Sequence, residues 1–382
     1  MSTPKHVPIS FFLVALLFAV PARGALKFGD ILVTDNESNH LVRVTPETGL
    51  QIELADRGDV ALCSALTTSF APQGLAVSAA RDVYTANVAQ LPFPAPSEVI
   101  RFNEDGTCDS VASGVDLAES DDVAIEPAGT IVVVTIRCPS CAASSPPALL
   151  RVNPETGVQS QISFGGLFVD PEMLAVDPID GSIYVGDDGN SGAGIPPSIL
   201  RVDPVSGVQT KLSEGDLFFN LSGLAIEAPG TLVATDRGNK AAVGSASETK
   251  VIRIDLARPF PMTNQSRVDD PATLPDFGGS RAEYDGIAVD RDGDLIVGLQ
   301  VDGPVGISAG PNGGVIRMEP VTGAQVLVTF GGPDFALGVL EGVDGVVIVP
   351  EPSPGLLRMA ALASLVTIAR LKRSTLQGSV PG

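Results

Sequence analysis

The phrase LVRVTPETG, beginning at Leu41, returns along the chain as VIRFNEDG, LLRVNPETG, ILRVDPVSG, VIRIDLA and VIRMEPVTG. Its arginines are Arg43, Arg101, Arg151, Arg201, Arg253 and Arg317, at intervals of 58, 50, 50, 52 and 64 residues. A second phrase keeps the same period: QGLAV at Gln73, DDVAIE at Asp121, EMLAVD at Glu172, SGLAIE at Ser222, DGIAVD at Asp285 and LGVLEG at Leu337. Two independent phrases sharing one period mean that a single structural unit is copied, each copy burying its apolar face on the next.

The clearest copy spans residues 172 to 212. MLAVD is followed by a turn at PIDG, then SIYVGD, a loop, SILRVD, a turn at PVSG, and VQTKLS. Alternating β-branched residues between Asp-Gly and Pro-x-x-Gly turns predict antiparallel hairpins. Four short strands about every 50 residues predict an all-β fold, a β-propeller of six four-stranded blades. The first unit, KFGDILVTDNESNHLVRVTPETG, opens on what is the second strand elsewhere. Its inner strand is expected from the far end, in FALGVLEG at Phe335, which closes the ring and removes an exposed edge. That choice leaves GVVIVP at Gly345 surplus, with a seventh, partial blade as the alternative.

The ends read differently. Residues 1 to 24 carry Lys5, an apolar run from Ile9 to Val20, and the small residues Ala22 and Gly24 before a cut near Ala25, the pattern of a secretory signal peptide. The expected division is a signal at 1–24, a propeller at 25–345, a sorting segment at 346–373 and a polar tail at 374–382. With 24 basic against 45 acidic residues, the chain repels phosphate backbones, so nucleic acid is not an expected partner.

These units resemble the NHL and SMP-30/gluconolactonase-like six-bladed propellers, over roughly residues 28 to 349. TDNESNH at Thr34 and TDRGNK at Thr235 fit the hairpins of NHL-type blades, where such residues cap turns. Other propeller chemistries find no residues: His6 leaves with the signal and His40 alone remains, too few for a histidine-dependent lyase, and the chain has no tryptophan. Lactonase-like SMP-30 relatives hold a divalent cation at the channel mouth with carboxylates and asparagines from inner-strand starts. Asp285 matches that family's aspartate motif; the other starts are Gln73, Asp121, Glu172, Ser222 and Leu337. The resemblance carries over Asp285 alone, but the inner ring is acidic at Asp121, Asp122 and Glu172 as well, and carboxylates converging on a channel suit calcium, which takes six to eight oxygens from flexible sources. The competing expectation is that these side chains cap strands or face channel water. DRDGD at Asp290 has the look of a calcium loop, but lacks the later glutamate and is expected to be a hairpin turn.

Four cysteines fit an exported chain. Cys138 and Cys141 form CPSC in a loop between strand phrases, and a disulfide between them is expected; Cys63 and Cys108, in outer strands of successive units, are expected to form a second. The close of the chain resembles the PEP-CTERM sorting signal: Pro350, Glu351 and Pro352, an apolar stretch from Gly355 to Ala369, then Arg370, Lys372 and Arg373. That resemblance implies processing by signal peptidase and an exosortase-like protease, transient contact with the inner membrane, and delivery to the cell surface or extracellular matrix, among exopolysaccharide or surface proteins. The expected function is a binding or scaffold module; the alternative is a calcium-dependent, SMP-30/gluconolactonase-like hydrolase.

Overall fold

The structure, a computed structural model, describes residues 26–350 apart from 36–38, 56–69, 89–96, 104–106, 143, 239–248, 259, 262, 276–280, 303–312 and 332–344. These residues form six four-stranded antiparallel sheets. Five blades are continuous in sequence, with innermost strands Pro72–Val77 (blade 2), Ser120–Ile125 (blade 3), Pro171–Val176 (blade 4), Leu221–Ala228 (blade 5) and Arg281–Val289 (blade 6). Blade 1 combines Ile31–Asp35, His40–Val44 and Gln51–Ala55 with an inner strand from the other end of the chain, Gly345–Ile348. The six inner strands touch one another in ring order, so the propeller is closed.

The closing strand corrects the expectation drawn from Phe335. Gly345–Ile348 pairs with blade 1 in the register Ile31↔Ile348 to Thr34↔Gly345, and Val349 extends the join through bonds with Gly29 and Asp30. A run of β-branched residues suits a strand packed between blades, and Val346 packs beside Ile31 and Val33. GVVI is therefore part of the ring, the six sheets leave no strand over for a seventh blade among the described residues, and the propeller runs past residue 345. Leu337, expected to open the last inner strand, lies outside the described residues.

Apolar burial is divided into six clusters, one at each boundary between neighbouring blades. Two of the repeated arginines tie neighbouring blades together. Arg151 makes a bidentate bond to Glu126, at 2.6 Å to each oxygen, and donates to the Pro204 carbonyl of the next blade. Arg253 does the same with Glu227 and the Pro320 carbonyl, and Arg317 lies 3.4 Å from Asp290. Glu126 and Asp290 directly follow the inner strand of the arginine's own blade, and Glu227 lies near the end of its inner strand. Asp290 also accepts from the amides of Asp292 and Asp294, so DRDGD is a hairpin turn.

Cys138 and Cys141 form the expected disulfide. Cys108 is also disulfide-bonded, while Cys63 lies outside the described residues. So do the signal residues 1–24, the tail 374–382 and all of the sorting motif except Pro350: Glu351, Pro352, Arg370, Lys372 and Arg373. Among the described residues the helical pieces are three-residue 3-10 turns, and no helix is long and apolar enough to cross a membrane.

Candidate functional site

In five blades the inner strand slips register at its start: between Pro72 and Leu75, Ser120 and Asp122, Pro171 and Met173, Leu221 and Gly223, and Tyr284 and Ile287. The residues inside those slips include Gln73, Asp121, Glu172, Ser222 and Asp285, the same positions that the repeat marks. A bulge drops its extra residue out of the ladder and re-aims the side chain, a device common beside functional sites. Neighbouring carboxylates hold the bulges in place. Asp187 accepts from the amides of Val169, Asp170 and Gly189, and Asp236 from those of Phe219, Asn220 and Gly238. The aspartate of TDRGNK is thus a cap, as its turn chemistry predicts.

The bulges surround one mouth of a central channel of about 480 Å³, whose wall includes Gln73, Asp121, Asp122, Glu172, Ser222 and Arg237. Asp285 is not on that wall. It is 1 % exposed, and its carboxylate is paired with the guanidinium of Arg237, which reaches across from blade 5. The Asp285 carbonyl accepts from the Thr235 hydroxyl, and Ser222 donates to the Tyr284 carbonyl at 2.8 Å, so blade 5 holds the start of blade 6 at three points.

Carboxyl groups crowd the sector opposite Arg237's own partner. Burial pushes Asp121 well above the usual carboxylate range, with the charges of Glu172, Asp170, Asp122 and Glu119 adding to the rise. Its Oδ2 is sealed from solvent and has no hydrogen-bond partner. Glu172 is pushed up to about 7 by burial and by Asp170 and Asp188, with Arg237 pulling the other way. Asp188 also reaches about 7 through burial, although it accepts from the Leu221 amide at 2.9 Å. Asp122 has a different duty: burial raises it to about 7, and its oxygens accept from Val123 and Leu174, each at 2.8 Å, tying blade 3 to blade 4.

The set expected to hold calcium is therefore divided. Asp121 and Glu172 share the channel wall, Asp122 is spent on backbone amides, and Asp285 is spent on Arg237. Among the described residues no three acidic, histidine or cysteine side chains converge as a metal site. This donor arrangement does not fit a calcium ion. Sequence reasoning missed Arg237, Asp170 and Asp188. Arg237 and Asp188 each directly follow a capping aspartate, Asp236 and Asp187, and aligning that position across the units is the signal that finds them.

No family model matches the chain, and no curated protein matches it. Solved structures do. A protein of Agrobacterium tumefaciens described as a TolB matches with a TM-score of 0.50 at 12% identity, over 85% of this chain and 99% of that one. A gluconolactonase of Xanthomonas campestris matches at 0.47 and 16% identity, over 80% and 85% of the two chains. The periplasmic gluconolactonase of Pseudomonas aeruginosa matches at 0.48 and 11% identity, over 81% and 84%. At these identities the likeness is one of fold: the chain is an all-β, six-bladed propeller with gluconolactonases among its structural neighbours.

Proposed function

We propose that this is an exported propeller whose channel mouth acts on a small polar molecule, as a lactonase-like hydrolase. One observation carries the reading: Asp121 and Glu172 share the mouth of the channel with the Arg237 guanidinium, and burial together with neighbouring carboxylates such as Asp188 pushes Glu172 up to about 7. Crowded, half-buried carboxyls destabilise a fold, and perturbed groups of this kind concentrate where they do chemistry.

The arrangement suits ester hydrolysis by acid–base catalysis. Ionised Glu172 takes a proton from a water molecule as its oxygen adds to the lactone carbonyl carbon. Arg237, still partly open to the channel, offers N–H groups to the oxyanion that forms. The ring C–O bond then breaks, and the departing oxygen receives a proton from a neutral neighbour such as Asp121, leaving a hydroxy acid. No step is routed through a metal, because the donors among the described residues do not fit a calcium ion.

A second reading, a binding or scaffold module, is favoured by a different observation: Asp285, the residue whose motif suggested metal chemistry, is locked to Arg237. Measuring hydroxy-acid release from a panel of sugar and aliphatic lactones, with wild type and Glu172→Gln, separates the two. Turnover lost in Glu172→Gln supports the hydrolase; wild-type rates no greater than buffer leave the binding module. Export, sorting by an exosortase-like protease and a final place at the surface belong to the same proposal, supported by the order of signal, propeller and C-terminal motif in the sequence.

A further inference from the structure

The inner strands end as regularly as they begin. Four residues after the starts stand Val77, Ile125, Val176, Ile226, Val289 and Ile348, one from each blade. All six line the same channel as Asp121 and Glu172. Every one is half-buried, and each packs against a different inter-blade cluster. One flank of each side chain is therefore in the core while another faces the channel. At about 3.3 Å per residue, this aliphatic ring lies about 13 Å below the polar mouth. Between the two levels the wall carries small residues, Ala76, Ala124, Ala175, Ala225 and Ala288.

An open ring of aliphatic side chains facing water is a cost unless something apolar fills it. Nothing in the core needs the exposure, since the neighbouring positions of the same strands, Val123, Leu174 and Ile287, are buried. The mouth has the opposite character, because Asp121, Glu172 and Arg237 line it. We propose that the channel takes an amphipathic ligand lengthwise, a lactone or similar ester whose polar head sits among the mouth carboxyls and whose unbranched aliphatic tail threads the ring. The identity of the head rests on the hydrolase reading above; the tail rests on the ring. An aliphatic ring favours a polymethylene chain over a polyhydroxylated sugar ring, whose hydroxyls would give up hydrogen bonds to water at that depth.

The test is calorimetric titration of the whole purified protein with γ-butyrolactone, γ-decalactone and glucono-δ-lactone, with hydrolysis followed in parallel. γ-Decalactone is expected to bind more tightly than γ-butyrolactone by about tenfold or more, since its added methylenes leave water on binding. In Val77→Thr/Val176→Thr/Val289→Thr, which keeps side-chain shape, that advantage should shrink while γ-butyrolactone affinity stays unchanged. The single variant Ile226→Thr should show a smaller change in the same direction, should the triple variant not fold. Equal affinity for the two alkyl lactones, preference for glucono-δ-lactone, or no binding of γ-decalactone overturns the proposal. Chain-length-dependent binding without hydrolysis upholds the tail site and removes the hydrolase reading; hydrolysis indifferent to chain length does the reverse.

Discussion

Arg237 and Asp285 join blades 5 and 6 through an ion pair that turns the carboxylate away from the channel and leaves the guanidinium on its wall. A residue that resembles a metal ligand in sequence is thus already matched with a cation that the fold supplies. Removing one partner of such a buried pair costs more than the pair itself contributes, because the other charge stays desolvated. Arg237→Gln should lower unfolding free energy by about 3 kcal/mol, and Asp285→Asn in the same chain should restore part of the loss. Urea titrations of the two single variants and the double variant measure the coupling; additive losses would show that the pair is not an energetic unit.

Stability should fall as pH rises from about 4 to about 7. The folded state raises the pKa of Glu172, Asp188 and Asp122 to about 7, and that of Asp121 well above its ordinary value. Between the unfolded and folded values the native state holds more protons, so the stabilising contribution is complete below the unfolded value and disappears through the folded one. Glu126, lowered by its bond with Arg151 against the effect of burial, works in the opposite sense only at more acidic pH. The melting temperature is expected to be higher at pH 5 than at pH 8, with a shallower slope in Glu172→Gln. A flat profile for wild type would contradict the crowding at the mouth.

Much of this fold is visible before any coordinates, because a propeller writes each blade separately and the LVRV and GLAV phrases mark strands of known place. The closing strand is harder. LGVLEG imitates the inner-strand phrase, while GVVI owes its position to Ile31 and Val33 at the other end of the chain. At the site, the bulged positions Asp121, Glu172 and Asp285 are legible from periodicity. Their division of labour is not. Arg237 captures Asp285 from 48 residues away, and Asp122 finds the Leu174 amide in the next blade; such partners depend on packing between units, which a repeat does not spell out.

The repeated arginine should resist conservative replacement. Arg253 forms two bonds to Glu227 and a third to the Pro320 carbonyl, a fork that lysine cannot reproduce. Arg253→Lys is expected to cost about 1–2 kcal/mol, and thermal unfolding checks it. A variant as stable as wild type would reduce the latch to a surface ion pair.

Reduction should loosen the blade 3 loop without opening the propeller. Cys138–Cys141 closes a very short loop, so its contribution to stability is expected to be about 2 kcal/mol at most. Ser140 also anchors the loop by donating from its amide to Asp116 at 2.8 Å. Non-reducing peptide mapping should recover the linked pair, and Cys141→Ser should melt a few degrees lower. Two free thiols in protein recovered from an oxidising compartment would refute the bridge.

In a host that has the sorting protease, the mature protein should lack Arg370, Lys372 and Arg373. Mass spectrometry of the surface fraction reads this directly. Intact Arg373 there would dismiss exosortase-like processing and leave an unprocessed anchor.

Blade 1 begins at Ile31 and is completed only by Ile348, which imposes an order in time. At ribosomal speed, on the order of tens of seconds separate the making of those two strands. Throughout that interval Ile31–Asp35 lacks its inner neighbour, an edge inviting proteases and stray strands. A chain cut short by a stalled ribosome keeps that edge permanently. The final strand therefore sets the moment of closure: only a chain made past Ile348 can complete blade 1.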